Sequence, residues 1–113
     1  MMVPQVLRKQ RQDNHLTLDL ILPADLFWFK GHFPGQPILP GVAQINWVMH
    51  YAGQELGLSG RFGGFDVVKF QQPVMPQQQI RLAIDWLAEK NRLIFSYHVG
   101  DRQASSGKII LCP

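Results

Sequence analysis

The chemistry this chain could do is concentrated in one stretch, Gly31-His32-Phe33-Pro34-Gly35-Gln36-Pro37-Ile38-Leu39-Pro40-Gly41-Val42. His32 stands on a segment stiffened by Pro34, Pro37 and Pro40, three prolines within seven residues, which exclude regular helix there. The segment runs straight into Gly41-Val42-Ala43-Gln44-Ile45-Asn46-Trp47-Val48-Met49-His50-Tyr51-Ala52, which reads as a helix to about Leu56, with Pro40 at or just before its first turn. A helix start offers free backbone N–H groups and the positive end of the helix dipole. Such a place can hold an oxyanion or a polarised carbonyl. Imidazole titrates near neutral pH and suits proton transfer, so His32 beside that helix start joins a proton-transfer group to a carbonyl-binding one.

The remaining candidates carry less. His50 lies four residues beyond Asn46, on the same helical face, but no further His, Cys or Asp cluster accompanies it, so it reads as structural. Gln44 points elsewhere on the helix and also reads as structural. His15 and His98 fall on the less apolar faces of strands. Cys112 has no base partner and reads as inert; a lone thiol cannot form an internal disulfide, which favours a reducing compartment. No metal site and no cofactor is implied.

Composition narrows the class. A length of 113 residues suits one domain, and seven Phe, three Trp and two Tyr can fill a sizeable core. The net charge of +3 is modest, and the basic residues are scattered except for Arg8, Lys9 and Arg11, so a nucleic-acid binder is not expected. Arg8, Lys9, Arg11, Lys30, Arg61, Lys69 and Arg92 are instead candidates for docking an acidic protein. No run reaches the ~20 apolar residues a membrane span needs, and the first residues lack a signal-peptide core. The expectation is a soluble, cytoplasmic protein.

The elements that must hold the chemical stretch follow from periodicity. Residues 1–12 are polar and without a clear period, a frayed end or short edge segment. Leu16, Leu18, Leu20 and Leu22 alternate with polar residues, as in a half-buried strand. Phe27, Trp28, Phe29 and Phe33 can line an acyl tunnel, or equally well pack the core or a dimer contact. The helix is apolar in nearly every direction, which predicts burial all round. Strands are expected at 65–70, 80–87, 93–99 and 103–111, the last two joined by a turn at Gly100-Asp101-Arg102. One helix followed by a run of antiparallel strands predicts an α+β architecture with a curved sheet wrapped around it.

His32 to Gly41 resembles, without a gap, the active-site pattern H-F-P-G-x-P-x-x-P-G of the β-hydroxyacyl-acyl carrier protein dehydratases, the FabA/FabZ type. Lys69-Phe70-x-x-Pro73-Val74-x-Pro76 resembles a second segment of that family, and the likeness extends from about residue 15 to the end. The resemblance implies the hotdog fold and dehydration of a 3-hydroxyacyl thioester on acyl carrier protein. It implies His32 as general base, the N–H of Gly41 as polariser of the thioester carbonyl, and substrate contacts from Phe33, Gly35, Ile38, Pro40 and Val42. It also implies a dimer, because in the family a carboxylate fourteen residues after the histidine reaches the site from the other subunit. The wording around Pro40 to Trp47 resembles the dehydratases of aryl polyene clusters.

That fourteenth position is Asn46, where the family has Asp or Glu. An amide forms hydrogen bonds but cannot donate a proton to a leaving hydroxide as a carboxylic acid does, and losing a positioned acid costs roughly 10²–10⁴-fold in rate. Three readings stay open. His32 shuttles the proton alone while Asn46 orients the hydroxyl; Asn46 is an engineered swap for Asp that traps substrate; or a second hotdog subunit supplies the carboxylate in a heterodimer in place of a homodimer. Two other functions also stay open: a hotdog thioesterase, disfavoured by the lack of Asp or Glu in the matched loop and helix, and a weakly active subunit that completes a heterodimer.

Overall fold

In a computed structural model, residues 3–29 and 38–113 are described. Among these, six strands and one α-helix follow in the order β1 (Gln5–Gln12), β2 (His15–Ile21), α1 (Gly41–Leu56), β3 (Arg61–Phe70), β4 (Gln79–Leu87), β5 (Arg92–Val99) and β6 (Arg102–Cys112), with single 3-10 turns at Phe27–Phe29 and Ala88–Lys90. The strands form one sheet in the order β1-β2-β4-β5-β6-β3, and every neighbouring pair is antiparallel.

The alternation in the sequence becomes the inner face of this sheet. Leu16, Leu18, Leu20, Ile80, Leu82, Ile84, Leu93, Phe95 and Tyr97 are all buried, and each such side chain taken from water contributes roughly 1.5–3 kcal/mol. They meet Ala43, Trp47, Val48, Tyr51 and Ala52 from the inner side of α1. The helix ends at Gly57, whose left-handed φ of 68° lets its N–H turn back onto the Ala52 carbonyl.

Three local features differ from the sequence reading. The polar opening residues form β1, an edge strand exposed along its whole length; its pairing with β2 leaves no hydrophobic period to be seen. Strand β3 begins at Arg61, ahead of the expected 65–70, because Gly63-Gly64 breaks its alternation: the register shifts between Phe62 and Phe65, and Gly64 has φ 117°. The helix is not buried all round. One curved sheet covers one side of it, and the other side leaves Val42 67% exposed, with Asn46 and His50 open as well.

Candidate active site

Gly41 is the first residue of α1, and the extended Pro40 before it serves as the N-cap without a side-chain hydrogen bond. The first bonds of the helix run from the N–H groups of Ala43 and Gln44 to the Pro40 carbonyl. Earlier N–H groups at a helix start have no partner within the helix, which leaves those of Gly41 and Val42 without one there. Phe70, at the end of β3, lies directly against this point. A Cβ on residue 41 would come within 2.6 Å of the Phe70 Cζ, so only glycine lets the ring approach so closely.

Two cavities meet at the Gly41–Phe70 contact. One, of about 380 Å³, is the mouth beside the helix start and is walled by Ile38, Pro40, Gly41, Gln44, Phe70 and Gln72 among others. The other, of about 520 Å³, runs along the open side of the helix between Val42, Asn46 and Met49 and the aromatic rings of Phe62, Phe65 and Phe70. Phe62 and Phe65 stack edge to face with centroids 5.0 Å apart. Its lining is overwhelmingly apolar, and Asn46 brings the one side-chain amide into it.

Beneath the mouth lies a buried polar group of three. Gln44 is 3% exposed, and its side-chain Oε1 accepts a 2.6 Å hydrogen bond from the Ser105 hydroxyl. The Tyr97 hydroxyl donates to the Gln44 backbone carbonyl, also at 2.6 Å. Burial, with the neighbouring Tyr51 adding to it, pushes the Tyr97 hydroxyl well above the usual tyrosine value, so it remains a donor. Strand pairing fixes this arrangement, since Ser105 lies opposite both Phe70 on β3 and Tyr97 on β5.

Of the residues singled out in the sequence, Gly41, Val42 and Asn46 share the long cavity, and Ile38, Pro40 and Gly41 share the mouth. His32, Phe33 and Gly35 lie outside the described residues, as does Lys30. The described part of the aromatic run divides: Phe29 is 8% exposed and Trp28 packs on the core, while Phe27 is 46% exposed, and none of the three lines the two cavities. The aromatic lining comes from β3 instead, which no single-residue signal marked. Gln44, expected to point elsewhere on the helix, walls the mouth while also holding a buried hydrogen bond to Ser105.

His50 is exposed, with its ring edge-on to Tyr51 at 4.9 Å. Several basic candidates are engaged: Lys9 with Glu55, Arg11 with the carbonyls of Asp13 and Glu55, and Arg92 with Asp66. Arg8, Arg61 and Lys69 have no such partner among the described residues. No described helix is long and apolar enough to cross a membrane, and the described residues contain no cluster of three metal-ligating side chains.

Comparison with known proteins gives this geometry a context. The family model for ApeI-like proteins, described as ApeI dehydratase, matches residues 8–108. The 3-hydroxyacyl-[acyl-carrier-protein] dehydratase FabZ of Moorella thermoacetica is 35% identical over 94 residues, covering 74% of this chain; the match spans 66% of that protein's length. A chain of the dehydratase heterocomplex ApeI:P from Xenorhabdus doucetiae is 43% identical with a TM-score of 0.94, over 99% of this chain and all (100%) of that one. An uncharacterized protein from Erwinia carotovora subsp. atroseptica is 47% identical with a TM-score of 0.88, over 99% of this chain and 98% of its own. The dehydratase domain of the CurK module, at 17% identity and TM-score 0.65, shares the fold; this chain covers 43% of it.

Proposed function

The chain belongs to the ApeI-like dehydratase family and has the hotdog fold of its FabA/FabZ-type relatives, and from that premise we propose that it removes water from 3-hydroxyacyl thioesters carried on acyl carrier protein, in aryl polyene or fatty acid synthesis. The observation that carries this reading is the helix start. Gly41, the first residue of the helix, lines both the mouth and the long apolar cavity, and it follows His32 by nine residues in the sequence.

In the proposed reaction the thioester carbonyl accepts a hydrogen bond from the N–H of Gly41, which acidifies the neighbouring carbon. The His32 imidazole takes that proton as general base. The C–H electron pair becomes the new carbon–carbon double bond, the bond to the 3-hydroxyl breaks, and the hydroxide leaves as water with a proton returned to it. The apolar cavity along Val42, Met49, Phe62 and Phe65 takes the acyl chain, with Ile38 and Pro40 at the mouth; Phe33 and Gly35 are further substrate contacts that the family resemblance implies.

Asn46 cannot return that proton as an acid. It stands on the exposed side of the helix, at the face where Phe62, Phe65 and Phe70 are also open. That placement, with the heterocomplex formed by the Xenorhabdus relative, favours assembly through this face with a second hotdog subunit. A partner bearing a carboxylate at the matching position would supply the acid; a homodimer would rely on His32 alone. Carrier docking falls to the unengaged cations, of which Lys69 adjoins the Phe70 that covers the helix start.

The test is intact-mass spectrometry of 3-hydroxyacyl-carrier protein incubated with the chain, with Asn46→Asp and with His32→Ala. Loss of one water with the chain or with Asn46→Asp, abolished by His32→Ala, is the expected result. Release of free acid would identify a thioesterase instead, and full dehydration by His32→Ala would overturn the assignment of the base.

A further inference from the structure

Gln44 is a polar side chain almost wholly buried at the helix start, and half of its amide is spoken for. Its Oε1 is held by the Ser105 hydroxyl at 2.6 Å, which fixes the orientation of the amide plane. Its NH2 makes no hydrogen bond to any described residue, and yet no fully buried side-chain polar atom among them lacks a partner. The NH2 is therefore not sealed off from solvent, and among the described residues Gln44 walls the mouth cavity together with Gly41. Residues three apart share a helical face, and helical side chains tilt toward the N-terminus. The Gln44 amide thus leans back toward the first turn, where the N–H groups of Gly41 and Val42 have no partner within the helix.

We propose that the Gln44 amide NH2 is a second hydrogen-bond donor to the thioester carbonyl oxygen, acting with the Gly41 N–H to stabilise the enolate that forms when the neighbouring carbon loses its proton. The proposal rests on the dehydratase reading above. During the step the C–H electron pair delocalises onto the thioester oxygen, the proton passes to His32, and the negative oxygen sits between two donors. The charge then collapses to form the double bond and expel the hydroxyl. Ser105 and Tyr97 are positioning residues: one holds the amide oxygen, the other the backbone carbonyl of the same residue. An apolar side chain at 44 would fill the same space and give the oxygen nothing.

Two readouts test it: turnover, and the infrared carbonyl stretch of a bound saturated acyl-pantetheine thioester, carbon-13 labelled at the carbonyl, which cannot eliminate water. Gln44→Met strands the Ser105 hydroxyl, so Gln44→Met/Ser105→Ala, which removes both partners of the buried bond together, is compared with the wild-type protein. The double variant is expected to lose kcat by about 10²–10³-fold relative to wild type, the usual cost of one oxyanion donor, with KM changed little; Ser105→Ala, which keeps the amide but releases it, should fall between the two. The bound carbonyl stretch of the double variant should move toward the solution frequency. A double variant with the kcat and carbonyl frequency of the wild type would overturn the donor role while leaving the dehydratase intact. A wild-type protein that removes no water from any carrier-bound 3-hydroxyacyl chain would overturn the underlying function as well.

Discussion

Residue by residue, the site is shaped by what particular side chains leave out. Gly41 leaves out a Cβ so that Phe70 can close on the helix start. Gly41→Ala should fold normally, since alanine favours helix and the Phe70 ring is 52% exposed and free to swing outward. Displacing the ring from the helix start should nonetheless cost about 10²-fold in turnover, recovered in part by adding Phe70→Leu; thermal melts and kcat on the same samples check both halves. Asn46 leaves out an acid, so Asn46→Asp should raise the dehydration rate roughly 10²–10⁴-fold if no partner already supplies a carboxylate. Single-turnover mass spectrometry reads that directly.

Tyrosine 97 offers a test by pH. Its folded-state pKa lies well above 10.0 because burial penalises the phenolate, and Tyr51 is pushed up to about 12 by burial and the nearby Glu55. Above pH 10 the unfolded chain releases these protons first and the folded chain keeps them. Stability is therefore complete below pH 10 and falls as pH rises beyond it. Melting curves from pH 8 to 12 should show this decline, and Tyr97→Phe should flatten it while lowering the plateau by about 1 kcal/mol for the lost hydrogen bond.

Among the elements, β6 is the strand on which most depends. It pairs with β5 on one side and β3 on the other, and it carries both Ser105 and Gly107. Gly107 lies opposite Phe95, and a Cβ there would meet the Phe95 ring and the Val67 carbonyl, each at 2.8 Å. A backbone oxygen cannot rotate away, unlike the Phe70 ring over Gly41. Gly107→Ala should therefore destabilise by about 1–3 kcal/mol through overpacking, a loss readable as a lower denaturant midpoint. The same strand pairing lines Ser105 up with Phe70, so damage here should also lower activity through the position of Gln44.

For the whole molecule, the two sheet edges are unlike each other. Strand β1 is polar and basic, with Arg8, Lys9 and Arg11, the kind of edge that resists pairing with another strand. Strand β3 is long and carries exposed Phe62, Phe65, Val67 and Phe70, beside the exposed Val42 of the helix. An apolar patch of that kind marks an interaction surface, and it borders the cavity containing Asn46. Phe62→Glu with Phe65→Lys should convert the proposed assembly to monomer in sedimentation analysis and remove activity with it. An unchanged sedimentation coefficient would place the interface elsewhere.

The loop prolines, the helix start at Gly41 and the alternating strands are all written along the chain, because backbone restriction and side-chain periodicity are local properties. The resemblance at His32–Gly41 and Lys69–Pro76 added the fold and the dehydratase family. Other features came only with the tertiary structure. Ser105 and Gln44 are 61 residues apart in sequence, and no spacing rule joins them; the register of β6 against β3 and β5 does. Phe70 covers Gly41 for the same reason. The open side of the helix was equally hidden, since an apolar residue such as Val42 reads alike whether it faces the sheet's concave side or a partner. A sequence records which residues prefer to leave water, and only the curvature of the sheet decides which of them this chain buries by itself.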